Sequence, residues 1–529
     1  MDENGHIAKI YLCMTCGKTF LSKNGAKFHL CLRLLSSNAS YLLAKKHKTT
    51  MQYIIRYIAI TNTPFRSADN QFLRLAMNTL DNTFVLPGKD KLRQEMLNLS
   101  DQIKRKMKKE ISGQFISLLF DSCHRWGNDY QGIIIHTYER LYLWSIERTE
   151  NSKAKTFSEL LTNILEEIES CHATVISICT DNAKANKSAF QKNKYGIIWE
   201  SCAAHTADLS IKDMFKTDKK YGFVFDSINQ LMQNIPTDCY RPGFKPELIT
   251  IRWSSLFECT QFIIKKMENY KKEQSQIICE PLKKIEEKIG FDTLLEILKI
   301  VTTFINDVEK DLSNISDIIP IYLKTYTDLI NINNKASKKM AKYFKSRFTV
   351  TCPLNLAFAA FFLTKKGLQY YRNNVHNIQK FKKDAINGLD DFMEKKKYND
   401  QLFQTCHDYF NFYIENFDIN RFDAFKNPFQ MWKEFHYNFS KENIPFWFSQ
   451  IAQEIIQIPS TEAPVERVFG ALSQVTSTEM CNVGPETLNA RLIVKFDTIF
   501  AKATNIYIDD LLNDPVLSLK LKKYPQLGY

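Results

Sequence analysis

No apolar run in this sequence is long enough to cross a bilayer. The longest, LNLAFAAFFL at 354–363, has about half of the ~20 residues a spanning helix needs, and Lys365 and Lys366 follow closely. The opening MDENGHIAKI lacks the basic-then-apolar pattern of a secretion signal. The thirteen cysteines form no disulfide framework; they are scattered, apart from a cluster near the front. Reduced thiols, a place in the cytosol or nucleus and no membrane partner are therefore the expectation. No fixed-period repeat stands out. Disorder is excluded by 44% hydrophobic and 13% aromatic residues.

What is present is too much chain for one core, since 529 residues imply several modules. The formal charge of +13 is unevenly spread: residues 1–110 carry 19 Lys/Arg against 8 Asp/Glu. Concentrated in this way, the excess is the footprint of a protein that meets a polyanion, most simply nucleic acid. A solubilising basic surface is the plainer alternative. KRKMKK at 104–109 reads either as a nuclear-localisation patch or as a solvated helix face.

YLCMTCGKTFLSKNGAKFHLC (11–31) places two residues between Cys13 and Cys16 and twelve between Cys16 and His29. That is three-quarters of a two-Cys, two-His zinc site, with Phe20 where such fingers keep a core aromatic. The usual fourth position is Arg33, while Cys31 is only two residues from His29 and points elsewhere on a regular helix. Cys31 ligates only if the helix unwinds there; otherwise the finger is degenerate or its site is completed by water. Lys18, Lys23, Lys27 and Arg33 suit phosphate contacts in either case. Beyond residue 40 the spacing turns helical, in one run ending at Thr63-Pro64 and another through Phe72, Leu73, Leu75 and Ala76.

FISLLF (115–120) reads as a short buried strand with Asp121 at its end. QGIIIHTY (131–138) and RLYLWSI (140–146) follow at hairpin spacing. A helix through Phe157, Leu161, Ile164 and Ile168 leads to TVISICT (174–180), which ends at Asp181. A polar helix from Asn182 and a fifth strand, YGIIWE (195–200), complete the region. This β-β-β-α-β-α-β order is what a ribonuclease-H-like mixed sheet produces, with its first and fourth strands adjacent and their aspartates converging. Either aspartate alone is more simply a turn or a helix cap. Together they need a third acid, because two-metal catalysis holds ions about 3.5–4 Å apart between carboxylates.

The third acid is sought in IPSTEAPVERVFGALSQV (458–475), where Ser460 or Thr461 can cap a helix. Val465, Val468, Phe469 and Leu472 make its apolar face, and Glu466 is carried beside it. The intervening stretch, from about 215 to 440, reads as an all-α insertion; FDTLLEILKIVTTFINDVEKDL (291–312) has an apolar stripe through Leu294, Leu295, Leu298, Val301, Ile305 and Val308. Pro320 should kink or end a helix there. PETLNARLIVKFDTIFAKA (485–503) is amphipathic through Leu488, Leu492, Ile493, Phe496 and Ile499.

Assembled in order, these blocks resemble the hAT superfamily of DNA transposases. YIIRYIAITNTPFRSADNQFLRLAMNTL, FISLLFDSC, ICTDNAKAN, SCAAHTADLSIKD, TIRWSS and PSTEAPVERVFGALSQV are similar to six of its motifs. The resemblance implies that Asp121, Asp181 and Glu466 bind catalytic Mg2+ or Mn2+. It implies that Trp253 stacks on an extruded base, that Arg252 meets phosphate or holds the tryptophan, and that His205 and Cys202 support the site or contact DNA. It likens residues 1–40 to a BED-like or degenerate finger that could hold Zn2+, and 41–110 to a basic helical DNA-binding segment. Residues 111–215 become the first part of the ribonuclease-H-like core, 216–445 the all-α insertion, and 446–529 the core's completion and a dimerisation region. The implied activity is cleavage of double-stranded DNA at terminal repeats, hairpin formation and strand transfer, by a nuclear homo-oligomer. A domesticated DNA-binding or chromatin protein without cleavage is the alternative. The sequence departs from the motifs at Cys123-His124-Arg125, which delay Trp126, and at Gly470, where a serine is usual.

The finger reading predicts about one zinc per purified chain by elemental analysis, lost in Cys16→Ser. A chain without zinc would leave a basic arm only.

Overall fold

The computed structural model describes residues 11–12, 19–20, 32–125, 127–149, 154–183, 186, 188, 196–234, 255–270, 276–352, 354–373, 379–437, 445–475 and 484–503. Two compact units divide the chain: Met1–Gln102 with Met480–Lys495, and Ile103–Glu479 with Phe496–Tyr529.

The first unit contains α1 (Leu32–Thr61), a 3-10 turn (Phe65–Asp69), α2 (Gln71–Leu80) and the start of α3 (Lys89–Ile111). A two-residue ladder pairs Tyr11–Leu12 with Thr19–Phe20. The zinc candidates Cys13, Cys16, His29 and Cys31 lie outside the described residues. Asn70 caps α2 by accepting from Phe72 N and Leu73 N at 2.9 and 3.2 Å. From the far end of the sequence, Arg491 donates to Thr63 O at 3.1 Å and lies 4.6 Å over the Phe65 ring.

The second unit is built on a five-stranded sheet: β1 (Phe115–Arg125), β2 (Asn128–His136), β3 (Leu141–Thr149), β4 (Thr174–Thr180) and β5 (Ile198–Ser201). Its spatial order is β3-β2-β1-β4-β5, with β1–β2 and β2–β3 antiparallel and β1–β4 and β4–β5 parallel. That arrangement is compatible with a ribonuclease-H-like domain. On one face, Ile116, Leu118 and Phe120 alternate with the other face's residues and pack, with Ile133, Ile135 and Trp144, against α4 (Ala154–Glu169) and the end of α3.

Asp121 does not end its strand, as the sequence suggests. β1 runs on to Arg125 because β2 returns antiparallel and pairs as far as Arg125–Asn128. What stops early is the parallel pairing with β4, at Leu119–Cys179.

The remaining elements of this unit are helical. They are α5 (Ala203–Lys212), α6 (Phe223–Asn234), α7 (Ser255–Tyr270), α8 (Gln276–Lys288), α9 (Phe291–Val308), α10 (Ile315–Asn331), α11 (Lys335–Val350) and α12 (Asn355–Phe362). Then come α13 (Lys365–Asn373), α14 (Gln379–Lys395), α15 (Asp400–Asn416), α16 (Pro428–Tyr437), α17 (Phe446–Ile456) and α18 (Ala463–Val475), before α19 (Pro485–Ala503). In α9 the expected stripe is buried at Leu294, Leu298, Val301, Ile305 and Val308. α10 continues through Pro320: in its second turn the proline loses one backbone bond, while Ile318 and Ile319 stay buried. Aromatic packing of Trp432 with Tyr413, Phe435 and Phe448 closes a second core. Among the described residues, no helix is long and apolar enough to cross a membrane. Leu488, Leu492, Ile493 and Phe496 of α19 are already buried within the chain, while Ile499 is exposed.

α18 packs on the second sheet face at Gly132. A Cβ built on that glycine would stand 2.5 Å from Val465 Cγ1 and 3.1 Å from Phe469 Cζ. No real contact is that short, so Gly132 is what lets the helix sit down on the strand. Gly132→Val is expected to cost about 2 kcal/mol or more by overpacking, read as a lower urea midpoint.

Candidate active site

The register explains how two distant aspartates meet. Ser117 and Leu119 of β1 pair with Ser177 and Cys179 of β4, and side chains two apart share a face. Two residues further on, the alternation puts Asp121 on that same side, and Asp181 follows just past the end of β4. Asp121 is also directly opposite Gly132 in the β1–β2 ladder, on the face that α18 covers. Val465, the residue that touches Gly132, immediately precedes Glu466. Glu466 lies in the first turn of α18 and is half-buried.

Asp121, Asp181 and Glu466 line one cleft of about 540 Å³, as do Cys202 and His205. The structure therefore brings five of the expected site residues together. It says nothing of Trp253 and Arg252, which lie outside the described residues, as does most of the helix expected from Asn182. Asp121 Oδ1 accepts from Ser122 N at 2.7 Å. Asp181 Oδ1 accepts from Ala183 N at 3.0 Å and from Asn186 Nδ2 at 2.5 Å, which fixes its direction.

Cys202 is buried and stands at the start of α5, its sulfur accepting from His205 N at 3.3 Å. Its thiol is pushed well up by burial and by the nearby Glu462, so it is a neutral thiol and not a nucleophile. Burial lowers the proton affinity of His205, with the Asp181 charge pulling the other way. Thr461, one of the two expected caps, accepts from Ala463 N at 3.1 Å. Ser460 does something else: its hydroxyl donates to Val308 O at 3.2 Å and to Ser313 Oγ at 2.9 Å, holding the strand-like segment against the insertion.

The sequence reading missed the other acids of this cleft. Asp208 comes from α5, Glu258 from α7, Glu309 from the end of α9 and Glu462 from the turn before α18. Glu462 lies just before α18, four residues ahead of Glu466. It is 1% exposed, and its Oε2 has no hydrogen-bond partner among the described residues. Burial pushes its carboxyl up to about 8; a hydrogen bond with Cys202 opposes this, and the charges of Asp181 and Glu309 add to it.

The oxygen donors are the kind a hard divalent cation takes. Among the described residues, no three His, Cys, Asp or Glu side chains are gathered closely enough to hold an ion as they stand. The acids are instead distributed around the cleft.

No protein-family model matches the chain. No curated protein matches it either. Among solved structures, it is similar to a chain of the Drosophila P element transposase strand transfer complex, with a TM-score of 0.34 and 10% identity over 86% of this chain and 93% of that one. A likeness at that level carries no weight, and the functional reading stands on the register and the cleft.

Because the raised Glu462 carboxyl is neutral when folded, it contributes stability below its ordinary value near 4.5 that is lost as pH rises through about 8. In EDTA, wild-type stability should therefore fall between pH 5 and 9 by on the order of 2–5 kcal/mol more than that of Glu462→Gln, measured by urea unfolding.

Proposed function

We propose that this chain is a metal-dependent enzyme that cuts and joins DNA strands, a transposase of the hAT kind. One observation carries the reading: Asp121 from β1, Asp181 from just past β4 and Glu466 from α18 line the same cleft. These three are the proposed ligands of Mg2+ or Mn2+. A bound pair of such ions would supply an activated water or 3′-hydroxyl and stabilise the leaving oxygen.

The chain's own residues have separate tasks in this reading. Backbone and Asn186 contacts aim Asp181, and Gly132 sets the depth of α18 and hence the reach of Glu466. Arg467, beside Glu466, donates to Glu309 O at 3.1 Å and pairs with Asp311, which ties that helix to the insertion. His205, deep in the wall, is kept neutral and polar beside Asp181. The finer parts of the proposal rest on the motif resemblance: hairpin formation with Trp253 stacking on a flipped base beside Arg252, a BED-like zinc finger at Cys13, Cys16, His29 and Cys31, nuclear location and a homo-oligomer that holds two DNA ends.

The test is cleavage of a candidate transposon end in Mg2+ or Mn2+. Glu466→Gln should lower the rate at least about 100-fold while DNA binding is kept. Undiminished cleavage in that variant would sink the triad. A wild-type chain that binds DNA but cuts in neither metal would favour the domesticated, non-cutting protein.

A further inference from the structure

The basic excess of the first 110 residues leaves 111–529 nearly neutral, with 52 Lys/Arg against 50 Asp/Glu. Within that neutral remainder, residues 329–383 contain twelve Lys/Arg and no Asp or Glu at all. Half of the twelve belong to α11.

α11 uses its basic residues in two ways. Lys339 and Arg347 face inward as anchors: Lys339 Nζ stands 2.5 Å from Asp218, and Arg347 grips Asp213 with two bonds of 2.5 and 2.6 Å. Asp213 directly follows α5, the helix that begins at the cleft with Cys202 and His205, and α11 packs along α5. Lys335, Lys338, Lys342 and Lys345 are all exposed. Their spacing of three, four and three residues puts them on one face over about 15 Å of helix. None of the four has an acidic partner among the described residues; Lys338 donates to the neutral Asn333 side chain at 2.7 Å.

Leaving four like charges in one row is electrostatically unfavourable, and the fold had acids to spare. We propose that the outer face of α11 is a track for the phosphate backbone of nucleic acid, with Lys335, Lys338, Lys342 and Lys345 each neutralising one phosphate. Charge complementarity selects the partner. A lipid surface is disfavoured by the helix itself, because its apolar face, Ala336, Met340, Ala341, Phe344 and Phe348, is consumed in the protein core and leaves nothing to insert. The proposal shares with the preceding section the choice of nucleic acid as partner, but it needs neither metal nor cleavage.

Binding of the full chain to a labelled duplex of random sequence is measured in EDTA at several salt concentrations. The variant Lys335→Ala/Lys338→Ala/Lys342→Ala/Lys345→Ala keeps helix propensity and the inward anchors. Its plot of log affinity against log salt should be shallower by about 3–4, so that from 50 to 200 mM salt the wild-type affinity falls on the order of 100-fold more than the variant's. The four Lys→Arg changes together should restore the wild-type slope, and each single Lys→Ala should remove about one unit, which keeps the test open if the quadruple variant folds poorly. An unchanged slope overturns the proposal. So does equal competition by polyglutamate, or loss of binding to vesicles rich in phosphatidylserine without loss of DNA binding. Slope loss in a chain that never cuts would keep this surface and refute the catalytic reading; cutting with an unchanged slope would do the reverse.

Discussion

The seam at Gln457–Glu462 is the constraint on which the rest of the larger unit depends. This short segment is bonded on one side to the sheet and on the other to the insertion. Toward the sheet and the helix α5 that follows it, Gln457 Nε2 donates to Phe115 O, Ser117 Oγ donates to Gln457 O at 3.4 Å, and Ala203 N donates to Ser460 O at 2.9 Å. Toward the insertion, Ile315 N donates to Ile458 O at 2.7 Å and Ser460 N to Ser313 O at 3.3 Å. Apart from the half-buried Phe115 the residues involved are buried, so each bond left unmade among them would strand a polar group away from water, at about 1–3 kcal/mol. The seam therefore fixes where α18 begins, and with it where Glu466 can be.

This explains how a chain can carry a helical insertion of some two hundred residues between parts of one site. Asp121 is placed by its pairing in the sheet and Asp181 by the end of β4 and its bonds from Ala183 and Asn186, all of which an insertion after β5 leaves untouched. Glu466 is placed by the seam, by the close approach at Gly132 and by the Arg467 contacts to the end of α9. The insertion is thus not a passive loop: α7 and α9 supply Glu258 and Glu309 to the far wall of the cleft. Wall and floor are coupled through the same few residues, Ser313 and Ser460 among them.

Much of the sheet could be read from sequence because its signals are local. TVISICT was bounded as β4 by β-branched residues ending at an aspartate, and the apolar face of α18 was legible from spacing alone. The extension of β1 to Arg125 was not, because polar residues there are held by pairing with β2 and not by burial. Glu462 was missed for a similar reason. Its role depends on Cys202 and Asp181, more than two hundred residues earlier, and no local pattern marks a carboxyl whose burial is made by other elements. Nor does a helical period distinguish Lys339, an anchor to Asp218, from Lys338, which faces solvent.

Charge is sorted in this unit more sharply than composition suggests. Seven carboxylates line the cleft: Asp121, Asp181, Asp208, Glu258, Glu309, Glu462 and Glu466. A phosphate approaching them is repelled, so an anionic substrate can enter only once cations, or neutralised carboxyls such as Glu462, have lowered that field. If the partner is the proposed polyanion, its attraction must come from elsewhere on the surface, which gives the acid-free stretch at 329–383 its physical sense. On the proposed function, one region draws the strand and another acts on it. Keeping them separate prevents the lysines from pairing with the site's acids, which would occupy the oxygen atoms that a divalent ion needs.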